Sequence, residues 1–173
     1  MDIFECIKGR RSIRSFSNDP ISDDDINKIL EAGIWAPSAG NMQAWEFVIV
    51  RDKKLRQKLA KAAYNQNFIA EAPVCIVVFA NMRRSASRYG SRGSDFYCLL
   101  DAAAATQNML LAIHALGYGS VWIGAFNDEA VMRILNAPEY CRPIAILPIG
   151  KPLEKPSPPR RLPISKVLHF EQF

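Results

Sequence analysis

Val74-Cys75-Ile76-Val77-Val78-Phe79-Ala80 is an almost unbroken apolar run. A strand with one face in water would alternate apolar and polar residues. Continuous apolarity reads instead as a strand covered on both faces. Upstream, Trp45–Val50 ("WEFVIV") is a second β-rich run, and a helix over Leu55–Ala63 separates the two. Downstream, a long Ala-rich helix runs from about Asp95 to Leu116 and ends at Gly117. "SVWIGAF" (Ser120–Phe126) reads as a third strand and Arg142–Gly150 as a fourth. Three further helices are signed by their ends. One spans Ile3–Lys8, one follows Ser22 as N-cap with Asp23–Asp25 in its first turn, and one follows Asn127 with Asp128 and Glu129. Strands mixed with helices of these lengths imply a layered α/β or α+β domain.

The bulk numbers agree. The chain has 173 residues, 49% hydrophobic and 23% charged, which suits one globular domain over residues 1–173. The N-terminus "MDIFECIKGRR" carries no secretory leader pattern. The most apolar segment, Phe96–Leu116, is interrupted by Asp101, Gln107, Asn108 and His114, so a buried helix is expected rather than a membrane span. Cys6, Cys75, Cys98 and Cys141 are scattered and form no CxxC pair, and His114 and His169 stand far apart. No metal site is indicated, and free thiols suit a cytoplasmic protein. A net charge of +5 raises the possibility of a nucleic-acid-binding module. The charge is spread over four groups with no accompanying recognition motif, which argues against it.

The end of the chain has its own character. Residues 151–163, "KPLEKPSPPRRLP", have too many prolines for regular structure. Beyond them Val167, Leu168, Phe170 and Phe173 require an apolar surface, either on a partner subunit or on their own.

Four polar loops remain. "GRRSIRSF" (Gly9–Phe16) packs three arginines into five positions, with a hydroxyl between them, a set suited to a phosphate monoester. "APSAGNMQAW" (Ala36–Trp45) offers a serine and two primary amides, which carry donors and acceptors for the polar edge of a heterocycle. "GYGSVWIGAF" (Gly117–Phe126) has glycines that let a flat ring approach the backbone. "PPRR" adds Arg160 and Arg161. No GxGxxG and no Walker-type loop occurs. Each loop also has a plain reading: arginines paired with Asp23–Asp25, an ordinary turn, a glycine at a bulge.

Taken together and in this order, "GRRSIRSF", "APSAGNMQAWEFVIV", "DAAAATQNMLLAIHALGYGSVWIGAF", "ILPIGKP" and "PPRRLPISKVLHFE" resemble the FMN-dependent nitroreductase family over nearly the whole chain. The resemblance implies an α+β, three-layer fold with a central, mainly antiparallel sheet, helices on both faces, and a C-terminal arm (151–173) exchanged in a homodimer. It implies FMN as cofactor. Arg10, Arg11, Ser12 and Arg14 would hold the phosphate and the pyrimidine edge, with Arg161 on the phosphate and Arg160 and Lys151 nearby. Pro37, Ser38, Ala39, Asn41 and Gln43 would approach from the second subunit. Trp122, Ile123 and Gly124 would line the ring, with the Gly124 amide near flavin N5 and no side-chain catalyst. The implied activity is hydride uptake from NAD(P)H and ping-pong reduction of nitroaromatic, quinone or similar acceptors. A flavin-fragmenting or reductively dehalogenating relative, and a non-catalytic flavin carrier, are the alternatives. Where larger members carry a helical lid, Asn81–Asp95 reads here as a short mobile loop whose arginines are solvated.

Overall fold

A computed structural model describes residues 2–173. Its framework is a four-stranded sheet in the order β1-β2-β4-β3, with β1 Trp45–Val50, β2 Val74–Asn81, β3 Gly119–Ser120 and β4 Cys141–Gly150. Every pairing is antiparallel. β2 lies inside the sheet, and all eight of its residues are buried. Val74, Ile76, Val78 and Ala80 face one apolar layer, with helices α2 (Asp23–Ile34) and α6 (Cys98–Ala115). Cys75, Val77 and Phe79 face the other, with α3 (Lys53–Ala62) and α7 (Asp128–Leu135). The apolar run of β2 is therefore shared between two cores, and the fold is the expected three-layer α+β arrangement.

The helix ends form as their residue types dictate. Ser22 accepts from the Asp25 N–H, Asn127 from the Ala130 N–H, and Asp52 from the Leu55 N–H. Asp2 and Glu5 close a capping box on α1, Ile3–Gly9. A short helix, α4 (Phe68–Glu71), adds to the expected set.

Two expectations are corrected. The third strand stops after Ser120, and only an isolated bridge, Ile123 to Ile146, follows. Ile146 exchanges both backbone hydrogen bonds with Ile123, at 3.0 and 3.1 Å. The backbone groups of Pro148, two residues along the strand, point the same way, and proline has no N–H to offer. The ladder therefore lapses over Val121 and Trp122.

The second correction concerns residues 81–95, which are not a loop. Asn81 accepts from the Arg84 N–H at 2.9 Å and starts α5, Met82–Arg92. The chain bends at Gly90 (φ 55°, ψ −141°), then continues through a turn of π-helix at Gly93–Tyr97 into α6. Ser85 is fully buried, and a Cβ on Gly93 would lie 2.5 Å from its carbonyl oxygen. Glycine thus permits the close helix–helix crossing that replaces a mobile loop. The run Met82–Ala115 is long and apolar enough to cross a membrane. It is sharply bent, however, and α6 places Ala102, Ala105, Met109 and Ile113 in the core against the sheet.

Candidate functional site

The arginine segment leaves α1 at Arg10 and lies across the sheet edge. Ile13 and Phe16 are buried with Ala72 and fix the segment in place. Gly119 makes room, since a Cβ there would stand 2.8 Å from Ile13. The Ile13 N–H donates to Ser120 O at 3.0 Å. With Ile13 and Phe16 turned inward, Arg14 is exposed and Arg10, Arg11 and Ser12 are half-buried. Arg11 Nη1 donates to the carbonyls of Lys8, Gly9 and Arg10 at 2.6, 3.1 and 2.9 Å, satisfying the end of α1. Ser120, paired with Ser12, has a buried hydroxyl without a partner among the described residues.

The chain after β4 supplies the facing wall. Ser17 N–H donates to Lys151 O at 2.9 Å and Leu153 N–H to Ser15 O at 3.0 Å, while the Arg14 N–H donates to the Glu154 carboxylate. A cavity of about 480 Å³ lies between Arg10, Arg11, Ser12 and Arg14 on one side and Pro159 and Arg161 on the other. Among the described residues none of these four arginines forms a salt bridge. Asp23 pairs instead with Arg51 and Asp25 with Lys28, so the acidic run does not neutralise them. Burial, then the like charges of Arg161 and Arg11, push the pKa of Arg10 below its ordinary value. A cavity lined by like charges and a hydroxyl fits a polyanionic group such as a phosphate. Arg160 does not line it, and Lys151 is paired with Asp19 at 3.2 Å.

The remaining predicted residues lie elsewhere in the protomer. Val121 and Ile123 are buried while Trp122 and Gly124 are exposed, a period-2 pattern that turns Trp122 and Gly124 outward. The Ile123 side chain belongs to the core, so only its backbone is available to a ligand. Pro37, Ser38, Ala39, Asn41 and Gln43 form a tight turn ahead of β1, outside the arginine cavity. This turn is held by residues that sequence reading did not assign to a site. Asp101 Oδ1 accepts from the Ala39 N–H at 2.9 Å. Arg84 donates to Gln43 O at 2.6 Å and Trp45 O at 3.2 Å and pairs with Glu46, while Arg88 donates to Gly40 O at 3.3 Å. Arg83 stacks on Tyr140, and Arg92 donates to Tyr97 Oη at 2.9 Å. The arginines of α5 are thus solvent-exposed, as expected, but engaged with groups of their own chain. The one available signal was Asp101 itself, a lone acid within the apolar run of α6.

The nitroreductase family model matches residues 7–69 and 62–151. The chain belongs to the nitroreductase family. An Archaeoglobus fulgidus relative, whose name pairs NADH dehydrogenase with NAD(P)H nitroreductase, is 39% identical over 158 residues, covering 87% of each chain. An NADPH-flavin oxidoreductase of Vibrio harveyi is 32% identical over 98% of this chain and 73% of its own. A solved Vibrio harveyi NADPH:FMN oxidoreductase, complexed with NAD+, superposes with a TM-score of 0.90 at 30% identity over 98% of this chain and 77% of that one. Within this nitroreductase-family oxidoreductase, neither the 37–43 turn nor the Trp122–Gly124 segment lines the arginine cavity.

Proposed function

We propose that the chain is an FMN-dependent oxidoreductase that takes a hydride from NAD(P)H and reduces nitroaromatic, quinone or similar acceptors. The arginine cavity carries this reading, because four guanidinium groups that lack a carboxylate partner among the described residues call for an anion from outside the protein. When bound, the flavin supplies the redox chemistry, and the protein supplies binding, orientation and electrostatics. Arg10, Arg14 and Arg161 hold the phosphate. Arg11, whose Nη1 is spent on the α1 carbonyls, stiffens the wall and adds charge. Donors in this segment also favour negative charge as it develops on the ring. Trp122 and the Gly124 backbone border the ring on an open side, where donor and acceptor bind in turn. The names of the Vibrio harveyi relatives support the flavin and the nicotinamide.

The active unit in this proposal is a cytoplasmic homodimer of one domain, residues 1–173, with 151–173 as an exchanged arm. Leu162, Ile164, Val167, Phe170 and Phe173 are all more than 60% exposed, so the arm does not dock on its own core. Ile3, Phe4 and Trp35 form a second uncovered apolar patch on α1 and α2. A partner subunit covers both and brings its 37–43 turn to this chain's arginine cavity.

Anaerobic titration of the purified, FMN-loaded protein with NADH and with NADPH tests the function. Bleaching of the flavin by either, before any acceptor is added, is the expected result, with parallel lines in initial-rate plots. A protein that takes up no added FMN overturns the cofactor. Bleaching that requires the acceptor overturns alternate binding on one face.

A further inference from the structure

The 37–44 turn is strained and unusually well held. Gly40, Asn41 and Gln43 all have left-handed backbones, with φ of 54°, 57° and 49°. Two of them are not glycine, and such residues keep this conformation only where their surroundings impose it. The N–H groups are held on one side. Ala39 donates to Asp101 Oδ1 at 2.9 Å, and the Ala44 N–H faces the same carboxylate. Gln43 N–H donates to Ser38 Oγ at 2.9 Å. The carbonyls of Gly40 and Gln43 are held on the other side by Arg88 and Arg84. Among the described residues the Asn41 and Gln43 side chains make no hydrogen bond, and both residues are exposed. The turn thus uses its backbone to fix itself and leaves two amide side chains at a set angle.

Asp101 is the costly member. It is 4% exposed, between Leu100 and a run of four alanines, and among the described residues its Oδ2 has no hydrogen-bond partner. Burial raises its pKa, and the Ala39 and Ala44 N–H groups act against that rise. An apolar residue would pack there without this cost. Among the described residues the carboxylate's one hydrogen bond runs to the start of the turn, and the Ala44 N–H at its other end faces the same group.

We propose that Asp101 is a positioning residue, which clips the 39–44 turn at Ala39 and faces it at Ala44 so that Asn41 and Gln43 meet the flavin ring of the partner subunit's site. The proposal rests on the flavin reading above. Asp101 does not touch the flavin itself.

The test compares wild type and Asp101→Asn by FMN and riboflavin titration of the apoprotein, amide hydrogen exchange and thermal melting. An amide offers one acceptor oxygen in place of two and carries no charge, so it holds the Ala39 N–H, and faces the Ala44 N–H, more weakly. Affinity for FMN and for riboflavin should fall together, each by roughly 10- to 100-fold, because the turn meets the ring and not the phosphate. Exchange at Ala39 and Ala44 should quicken while that of β2 stays slow, and melting should stay near wild type because the buried charge is gone. Unchanged FMN affinity overturns the positioning role. So does faster exchange spread equally over β2, which marks a general loss of packing. Ser38→Ala, at a half-buried surface position, removes the neighbouring clip without touching the core. It should produce a smaller effect of the same kind, and no effect on either flavin or on Gln43 exchange counts against the proposal. Wild type that binds no flavin removes the underlying reading instead.

Discussion

The molecule has two arginine clusters, and they do opposite things. Arg83, Arg84, Arg88 and Arg92 on α5 meet a tyrosine face, three carbonyls, a carboxylate and a phenol within their own chain. Arg10, Arg14 and Arg161 line one cavity, and among the described residues their guanidinium groups have no carboxylate partner. In sequence both groups read alike as runs of arginine broken by serine. What separates the two is the inventory of partners. Guanidinium groups satisfied inside the chain are structural, and those left facing one another are the proposed binding surface.

Four experiments strain that contrast. The largest effect is expected from deleting Ser165–Phe173, which takes away the exposed apolar end of the arm that carries Arg161. Dimerisation and FMN content should be lost together, measured by light scattering after size exclusion and by visible absorbance. A truncated dimer with full FMN would sink the exchanged arm. Next, Arg14→Ala or Arg161→Ala should cost about 1.5–3 kcal/mol of FMN affinity for each charged hydrogen bond removed. Riboflavin, which lacks the phosphate, should notice little. Equal losses for both ligands would mean that the cavity is not a phosphate site.

Arg84→Ala should act through stability. Losing two carbonyl contacts and a half-exposed ion pair should lower unfolding free energy in urea by about 1–2 kcal/mol. The ratio of FMN to riboflavin affinity should not move, and a selective loss of FMN would place Arg84 with the phosphate group after all. Arg88→Ala should do least, within about 0.5 kcal/mol, because it removes a single long bond at the surface.

Much of the architecture was legible locally. The unbroken apolar run of β2 announced a strand with two covered faces, and Ser22 and Asn127 announced helix starts that occur where expected. The shortened β3 was less so. "SVWIGAF" is a sound strand pattern, and the interruption comes from Pro148, a residue on the neighbouring strand. Residues 81–95 misled for a related reason. Serines, glycines and arginines read as a loop by composition, yet the Asn81 cap and the Ser85–Gly93 crossing fold them into helix.

At the candidate site the same division holds. By itself, the sequence determined that guanidinium donors stand near the N-terminus and near residue 161, since a guanidinium keeps its charge and fork geometry in any surroundings. It also determined the family, through motifs spread along the whole chain. Tertiary structure alone decided which arginines face a cavity and which are consumed, that Lys151 belongs with Asp19, and that Ile123 faces inward. It alone brought Asp101 to the 39–44 turn, 62 residues away in the chain. The physical reason is that a charge is a property of a residue, whereas its satisfaction depends on what the fold sets beside it.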